Sequence, residues 1–443
     1  MNFKETEIGL IPCEWEYKSI GDCLYIKGRI GWKGLKKSEY LKKSNYRIIN
    51  GSALNGKDIE WDKCGYISEE RYNESPEIML EKNDIVMTKD GTIGKVAIID
   101  KLEYKTTVAS GLFVIRVLNN SIDYKYLYYY FTSKYFSNLV KTRIEGSVIP
   151  HLYQKDLVEL NIPLPQLNEQ KAISKILSDL DKKIETNNKI NKKLEEMAQA
   201  IFKQWFVDFE FPNEYGKPYK SSSGEMVESE LGMIPKGWEV ILLDEIVDTF
   251  NGYSYKGKEL SESEDAMITI KNFDRNGGYK MDGLKEIVIS DKVKPHHFVE
   301  VNDIIVAHTD LTQGAEIIGN PIMIFSKGSY EKLIMSMDTV KVKSKIKEMN
   351  NELLYFILKD YRFKQYALGY VNGTTVLHLS KSTIPQYKIA LPYDKSIMNQ
   401  LGNNLSPIMS KIANNFKENE KLIMLRDTLL PKLMSGEIRV PID

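Results

Sequence analysis

The sequence predicts an α+β protein in which two tandem, mixed α/β domains are separated by two long helices. The helices are predicted to pack as an antiparallel coiled coil, which gives the chain pseudo-two-fold symmetry. Three observations lead to this prediction: one unit occurs twice, each copy has short β-rich runs around a turn, and each copy ends in a helix with a heptad seam. With 443 residues and 42% hydrophobic content, each copy can bury a core of its own.

The duplication is visible as five pairs of matching segments, separated by between 219 and 227 residues. A spacing of about half the chain indicates a tandem duplication and not a short-period solenoid. The pairs are EIGLIPCEWE (7–16) and ELGMIPKGWE (230–239), NDIVMTKDGTIGKVAII (83–99) and NDIIVAHTDLTQGAEII (302–318), YLYYYFTSKYF (126–136) and LLYFILKDYRF (353–363), GSVIPHL (146–152) and GTTVLHL (373–379), and NIPLP (161–165) and KIALP (388–392).

Within each copy, β-rich runs precede a helical stretch. In the first copy, DIVMT (84–88) and KVAII (95–99) flank Asp90-Gly91, a dipeptide that favours β-hairpins. Aromatic helical stretches follow around 122–142 and again near 350–368. A hairpin and a helical layer in each copy are the basis for the mixed domain class.

A heptad seam runs along each long helix and carries two Asn residues at its centre. A period of 3.5 residues over four heptads indicates a coiled coil, and a polar seam residue sets register. Antiparallel packing would place Asn187 near Asn419 and Asn191 near Asn415. The alternative is two separate amphipathic helices that pack on their own domains. The seam residues are Ile173, Leu177, Leu180, Ile184, Asn187, Asn191, Leu194, Ala198, Ile201 and Trp205, and then Leu401, Leu405, Ile408, Ile412, Asn415, Asn419, Leu422, Arg426, Leu429 and Leu433.

Composition excludes several classes of protein. The net charge is zero, which argues against a wholly basic nucleic-acid binder. The three cysteines form no CxxC pair, which favours reduced thiols. The N-terminus lacks the apolar core of a signal peptide, and no run of about 18 apolar residues exists. These features predict a cytoplasmic protein.

The search for catalytic residues gives none, and no metal site is predicted. The sequence has neither a phosphate-binding P-loop nor a GxGxxG element. Asp181-Lys182-Lys183 lies on the first long helix without an acidic partner, so we assign it to a solvated face. His151 and His378 occupy matching positions in the repeat, and a structural role is expected for both.

Basic and polar groups predict binding to nucleic acid. Residues 24–47 combine eight Lys and Arg side chains with interleaved Gly and aromatic residues, although an ordinary solvated loop is the alternative. The two hairpin tips carry different polar residues, as two different sequence specificities would require. The candidate DNA-binding residues are Arg29, Lys33, Lys36, Lys37, Lys89, Asp90, Thr92, Ser147, His308, Thr309, Asp310, Gln313, Thr374 and Thr375.

Three further segments resemble the DNA-specificity (S) subunits of type I restriction–modification enzymes. They are SELGMIPKGWEV (229–240), FKQWFVDFE (202–210) and RDTLLPKLMSGEIRV (426–440). The resemblance covers essentially the whole chain, with Arg426 in the seam as a departure. It implies target-recognition domains at 1–165 and 229–392, spacer helices at 166–210 and 393–436, a connector at 211–228 and a tail at 437–443.

The resemblance also implies partners and cofactors. The family has no catalytic residues of its own and assembles with two modification subunits, which use S-adenosylmethionine to methylate adenine. Its restriction subunits use ATP and Mg²⁺ to translocate and cleave double-stranded DNA. We therefore expect a bipartite, asymmetric target. Alternatives are a solitary or phase-variable specificity subunit that acts only with a methyltransferase, and a coiled-coil scaffold without specific DNA binding.

Overall fold

The structure is a computed structural model that describes residues 2–30, 34–119, 121–144, 151–275, 277–312 and 314–441. For Lys37, Arg143 and Ile144 it describes the backbone alone. The chain forms two compact units. The first unit comprises Met1–Ile184 and Leu422–Asp443, and the second comprises Glu185–Lys421.

The first unit contains thirteen strands and four complete helices among the described residues. Its strands are β1 (Phe3–Thr6), β2 (Gly9–Pro12), β3 (Glu16–Ser19), β4 (Leu24–Gly28), β5 (Tyr46–Ile49), β6 (Leu54–Asn55), β7 (Asp58–Ile59), β8 (Gly65–Ile67), β9 (Ile85–Thr88), β10 (Val96–Ile98), β11 (Lys105–Val108), β12 (Leu112–Val117) and β13 (Asn161–Leu164). Its helices are α1 (Glu69–Asn73), α2 (Tyr124–Thr132), α3 (Lys134–Ile144) and α4 (Gln154–Val158), and α5 (Leu167–Phe206) begins in this unit.

The second unit has a similar order of elements, although its described residues form no α-helix at the positions that match α1 and α4. Its strands are β14 (Met226–Ser229), β15 (Gly232–Pro235), β16 (Trp238–Leu242), β17 (Val247–Asn251), β18 (Ala266–Ile268), β19 (Lys285–Glu286), β20 (Phe298–Val299), β21 (Ile304–Ala307), β22 (Thr309–Asp310), β23 (Pro321–Met323), β24 (Leu333–Met335), β25 (Thr339–Ser344), β26 (Val371–Asn372), β27 (Leu377–Leu379) and β28 (Lys388–Pro392). Its helices are α6 (Asn351–Lys359), α7 (Tyr361–Leu368) and α8 (Ser396–Met434).

The two units share their sheet topology, so the duplication extends to the fold. The first has an antiparallel sheet in the order β10-β9-β12-β4, and the second has its counterpart in the order β23-β21-β25-β17. Each also has one parallel pair, β5 with β11 and β18 with β24. Each aromatic stretch forms two short helices whose large side chains belong to the hydrophobic core of their unit. They include Tyr126, Tyr130 and Phe136 in the first unit and Tyr355, Phe356 and Phe363 in the second. The α+β class is confirmed.

The hairpin predicted around Asp90-Gly91 is formed by β9 and β10, but the second-copy counterpart was misaligned. Asn83 N donates to Ile99 O at 2.8 Å, and Asn302 N donates to Ile324 O at 2.7 Å. The strand that matches β10 is therefore β23, and the pairing of KVAII with GAEII is wrong. Equivalent bonds run from Gly94 N to Thr88 O and from Gly319 N to Ala307 O. The two residues joined by this bond are six positions apart in the first unit and twelve in the second, so the second hairpin tip is six residues longer.

Helices α5 and α8 pack antiparallel, and their seam positions are buried or half-buried throughout. In the first unit, Ile173, Leu177 and Leu433 belong to the hydrophobic core. In the second unit, Leu401 and Leu405 do so. The two compact units divide the chain within these helices, whereas the sequence-based division places each helix apart from its domain.

Arg426, the charged residue in the seam, forms an ion pair within the first unit. Arg426 donates from Nη1 to Asp181 Oδ1 at 2.8 Å, and Tyr129 donates its hydroxyl proton to Asp181 Oδ2 at 2.6 Å. The Asp181 side chain is only 16% exposed, so its assignment to a solvated face is wrong. A seam arginine is tolerated because a buried carboxylate faces it. Across the described residues, no helix combines the length and apolar character needed to cross a bilayer.

Candidate nucleic-acid interface

In each unit the hairpin tip is joined to a returning segment by the same backbone hydrogen bond. We call residues 89–93 the first tip and residues 308–318 the second tip. Leu152 N donates to Lys89 O at 3.0 Å in the first unit, and Leu379 N donates to His308 O at 2.8 Å in the second. The backbone therefore joins each tip to the described part of the fourth repeat pair, residues 151–152 in the first unit and 377–379 in the second.

A histidine on the returning segment faces the tip in both units. His151 Nδ1 forms an ion pair with Asp90, and the two residues also form a β-bridge. At the matching positions, His378 Nδ1 lies 3.5 Å from Thr309 Oγ1, and the two residues pair between β27 and β22. The duplicated histidine thus has a partner at matching positions, Asp90 in the first unit and Thr309 in the second, which the sequence did not reveal. Its structural role stays a prediction.

The first tip presents charged and polar groups to solvent. The Asp90 side chain is 43% exposed, and Thr92 is exposed. Lys89 is half-buried, with its ammonium 5.2 Å from the centre of the Phe113 ring. The Thr88 hydroxyl donates to Thr92 O at 2.6 Å and holds the turn closed from beneath. The side chains available to a ligand here are those of Lys89, Asp90 and Thr92.

The second tip turns its first three residues inward, which corrects their assignment as direct DNA contacts. His308, Thr309 and Asp310 are all buried. Asp310 Oδ1 accepts from Thr312 N and from the Thr312 hydroxyl, and Oδ2 accepts from Ile317 N, all at 2.8 Å. Asp310 therefore organises the longer tip instead of projecting from it. The exposed groups described in this region include Leu311 and Glu316 in the tip, and Thr374 and Thr375 in the segment between β26 and β27.

Protonation in the second tip is shaped by burial and by hydrogen bonds. Burial lowers the pKa of His308 to about 4, so its imidazole is neutral at pH 7. Burial raises the pKa of the Asp310 carboxyl, but the hydrogen bonds from Ile317 and Thr312 outweigh it, and the pKa lies below its usual value. The tip thus holds a buried carboxylate beside a neutral imidazole.

A lysine on α7 braces the longer tip. Lys364 Nζ donates to three backbone carbonyls, those of Ala315 at 3.1 Å, Glu316 at 3.2 Å and Ile318 at 2.6 Å. Burial lowers the pKa of Lys364 to about 8. Outside the tip, Arg275 Nε lies 3.0 Å from Glu316 Oε2. These contacts hold the tip from two neighbouring segments of the same unit.

The basic loop of the first unit contributes fewer free charges than its sequence suggests. Arg29 is 2% exposed and donates from Nε to Val108 O at 3.1 Å, so its assignment as a DNA contact is wrong. An arginine inside the domain bonds to backbone that the fold would otherwise leave unsatisfied. Lys36 is exposed. The candidate residues Lys33, Ser147 and Gln313, and the Lys37 side chain, lie outside the described part of the chain.

The four seam asparagines meet in pairs within the second unit. Asn187 donates from Nδ2 to Asn419 Oδ1, and Asn415 donates from Nδ2 to Asn191 Oδ1, both at 2.8 Å. Asn419 donates in turn to Asn188 Oδ1 at 2.8 Å. These are the pairs that antiparallel packing predicts. That they set the register stays a prediction.

Sequence reasoning missed the residues that support the second tip. The signal was present in the third repeat pair: continued by one residue, it aligns Ser137 with Lys364. A lysine in place of serine, together with a longer tip, indicates that the region is held differently in the two copies. In the described ranges, no group of three or more His, Cys, Asp or Glu side chains is placed to hold a metal ion.

The two units share a duplicated α+β scaffold and carry different groups on their tips. Residues 12–196 and 235–422 match the family model described as type I restriction modification DNA specificity domain. The chain belongs to this family, the specificity (S) subunits of type I restriction–modification systems.

Individual relatives match over nearly the full chain. The sequence is 30% identical to the type I restriction enzyme MjaIX specificity subunit of Methanocaldococcus jannaschii, over 99% of this chain and 96% of the relative. It is 27% identical to the MjaVIII specificity subunit of the same organism, with the same coverage. The fold is similar to the crystal structure of the type I S subunit from M. genitalium, with a TM-score of 0.50, 18% identity and 96% coverage of each chain.

Proposed function

We propose that this chain is the non-catalytic, sequence-specific DNA-recognition subunit of a type I restriction–modification complex. It reads a bipartite, asymmetric target in double-stranded DNA. It positions two modification subunits, which methylate adenine with S-adenosylmethionine, and restriction subunits, which use ATP and Mg²⁺. It works in the cytoplasm and binds none of these cofactors itself.

The observation that carries the proposal is the contrast between the two tips. The framework around them is duplicated down to single hydrogen bonds, from Leu152 to Lys89 and from Leu379 to His308. The described exposed groups differ, with Asp90 and Thr92 on the first tip and Leu311 and Glu316 on the second. Because base edges are read by the hydrogen-bonding and apolar groups presented to them, unlike tips select unlike half-sites.

Methylome sequencing of cells with and without the gene tests this proposal. The expected result is one gene-dependent adenine-methylation motif with two dissimilar half-sites, separated by an unread gap and centred about one helical turn apart. A continuous or palindromic motif would contradict the bipartite reading. A methylome that does not change on deletion would contradict the function in this cell.

The absence of intrinsic catalysis is tested on the purified chain. Alone, it should neither methylate nor cut DNA, and both activities should appear only when the partner subunits are added. Stoichiometric turnover of S-adenosylmethionine by the isolated chain would show that the chain carries catalytic groups of its own.

A further inference from the structure

Beside the first tip, the first unit has an open cleft. The cleft has a volume of about 670 Å³. Its walls are the turn between β6 and β7, the tip itself and the facing sides of α2 and α3. All three walls belong to the first compact unit.

In the second unit the corresponding walls are joined. The turn that matches β6–β7 lies between Phe273 and Tyr279, which form a bridge as β6 and β7 do. Arg275 on this turn reaches the longer tip through its ion pair with Glu316. Lys364, at the position of Ser137, holds the same tip from the helix side. In the second unit these two basic side chains thus link the longer tip to both neighbouring walls, whereas the first unit has Ser137 at the position of Lys364.

The chemistry of the cleft is basic at its edge and aromatic at its floor. Lys95 and Lys141 are exposed at the edge, and no ion pair to either is found in the described part of the chain. The residues lining the cleft in the structure include neither Asp nor Glu. The floor is formed by buried aromatic side chains of α2 and α3, namely Tyr128, Phe131 and Phe136.

Glycines in two walls of the cleft, the β6–β7 turn and the first tip, leave the backbone there accessible to a ligand. A Cβ atom built on Gly56 or on Gly91 would have no heavy atom within 4 Å, and both residues have positive φ, +56° and +69°. Backbone without side chains lets a ligand lie directly against N–H and C=O groups. Such a wall suits a phosphodiester or a base edge, which is recognised by hydrogen bonds at short range.

We propose that this cleft is the nucleotide-binding subsite of the first unit and takes one edge of its half-site. Lys95 and Lys141 contact phosphate, and the aromatic floor receives the apolar edge of a sugar or base. The inference rests on the proposed function and deepens it, because it assigns DNA contacts of the first unit to named residues of the cleft.

The test uses the complex assembled with its modification subunits and duplexes built from its methylation motif. Two changes address the cleft: Lys95→Gln with Lys141→Gln removes its charge, and Ser137→Trp fills it. Lys175→Gln is the matched control, because this lysine is 75% exposed on α5, outside the cleft. Dissociation constants are measured for the intact target and for targets with either half-site scrambled, over a range of salt concentrations.

The double glutamine variant should weaken binding to every duplex by tenfold or more and lower the salt slope by about two, at roughly 0.9 per phosphate contact. Ser137→Trp should abolish discrimination at one half-site and leave the other intact. Lys175→Gln should bind as the unaltered complex does. Because the lysines are on the surface, the double variant tests the cleft even if the tryptophan variant fails to fold.

Three outcomes overturn the inference. If both cleft variants keep the affinity, salt slope and half-site discrimination of the unaltered complex, the cleft does not touch DNA, while the proposed function stands. If the full chain binds dAMP or ATP, loses that binding in Ser137→Trp and keeps its DNA discrimination, the ligand is a free nucleotide. If the unaltered complex prefers neither half-site, the proposed function and the cleft assignment fail together.

Discussion

The first and second tips stand on the same framework but are built in opposite ways. The first tip is short, and its Asp90 carboxylate is 43% exposed and paired with His151. The second is six residues longer, and its Asp310 carboxylate is 1% exposed and bonded to three groups of the tip. The backbone bonds from Leu152 to Lys89 and from Leu379 to His308 are common to both units, whereas the groups on the tips and some of their supports, such as Lys364 in place of Ser137, differ. Under the proposed function, the exposed groups that differ are those that recognise DNA.

The largest expected difference between the tips follows from their carboxylates. Asp310→Ala should strand two backbone N–H groups and a hydroxyl inside the second tip and cost roughly 3 kcal/mol or more of stability, since each buried unsatisfied group costs about 1–3 kcal/mol. Asp90→Ala removes a partly exposed pair and should cost less than about 1 kcal/mol. Chemical denaturation of both variants measures the difference. Equal losses of unfolding free energy would show that the two carboxylates contribute equally to stability.

A second difference concerns pH. His308 is neutral in the folded protein with a pKa of about 4, whereas an unfolded histidine takes up a proton near pH 6.5. The contribution of neutral His308 to the free energy of unfolding is therefore complete above pH 6.5. It is lost as the pH falls towards 4, by about 3 kcal/mol in total. His308→Gln should flatten the fall in stability over this window. Lys89→Gln, at the matching position of the first unit, should leave the fall unchanged, and a parallel flattening would contradict the assignment.

The polar layers of the helix pair also differ between the units, with the Asp181–Arg426 pair in one and the asparagine pairs in the other. Replacing Asn187 and Asn191 by Leu should leave the amides of Asn415 and Asn419 without these partners and cost about 1–3 kcal/mol. Replacing all four by Leu should restore the melting temperature or raise it.

The quadruple variant should at the same time discriminate less between targets whose gap is one base pair longer or shorter. A register set by the asparagines predicts this loss, because a slipped pairing no longer strands an amide. If the quadruple variant stays as strict about gap length as the original chain, the register is set by other contacts.

The smallest expected effect concerns the basic loop of the first unit. Replacing Lys33, Lys36 and Lys37 by Ala should weaken binding to all sequences and lower the salt slope by about one for each lost phosphate contact. The matching segment of the second unit is less basic, so Lys256→Ala with Lys258→Ala should have a smaller effect. An unchanged slope in the triple variant would place the loop away from DNA.

Much of the architecture could be predicted because it follows from periodicity. The heptad pattern identified seam positions that are all buried or half-buried, and the Asn positions led to the partners found in the structure. The repeat pairs indicated two domains of one topology. Such patterns are reliable because burial of an apolar stripe depends on spacing alone.

The remaining features depend on contacts between distant segments, which spacing does not report. GAEII resembles KVAII, yet six additional residues move the true partner strand to β23. Arg29 stands in a basic run but lies inside the domain, because backbone carbonyls there need a donor. Asp181 was assigned to solvent because its partners, Tyr129 and Arg426, are remote in sequence. The polarity of a residue does not by itself show whether its side chain is buried or exposed.

The central claim, that each tip reads its own half-site, is tested most directly by selecting DNA from a random pool with two variant complexes. One carries Lys89→Ala, Asp90→Ala and Thr92→Ala in the first tip. The other carries Leu311→Ala in the second tip, together with Thr374→Ala and Thr375→Ala in the β26–β27 segment that pairs with it. Sequencing the bound DNA should show that the first variant loses the preference at one half-site only, and that the second loses it at the other only. The claim is contradicted if either variant alters both half-sites, or if both variants select the same motif as the unaltered complex.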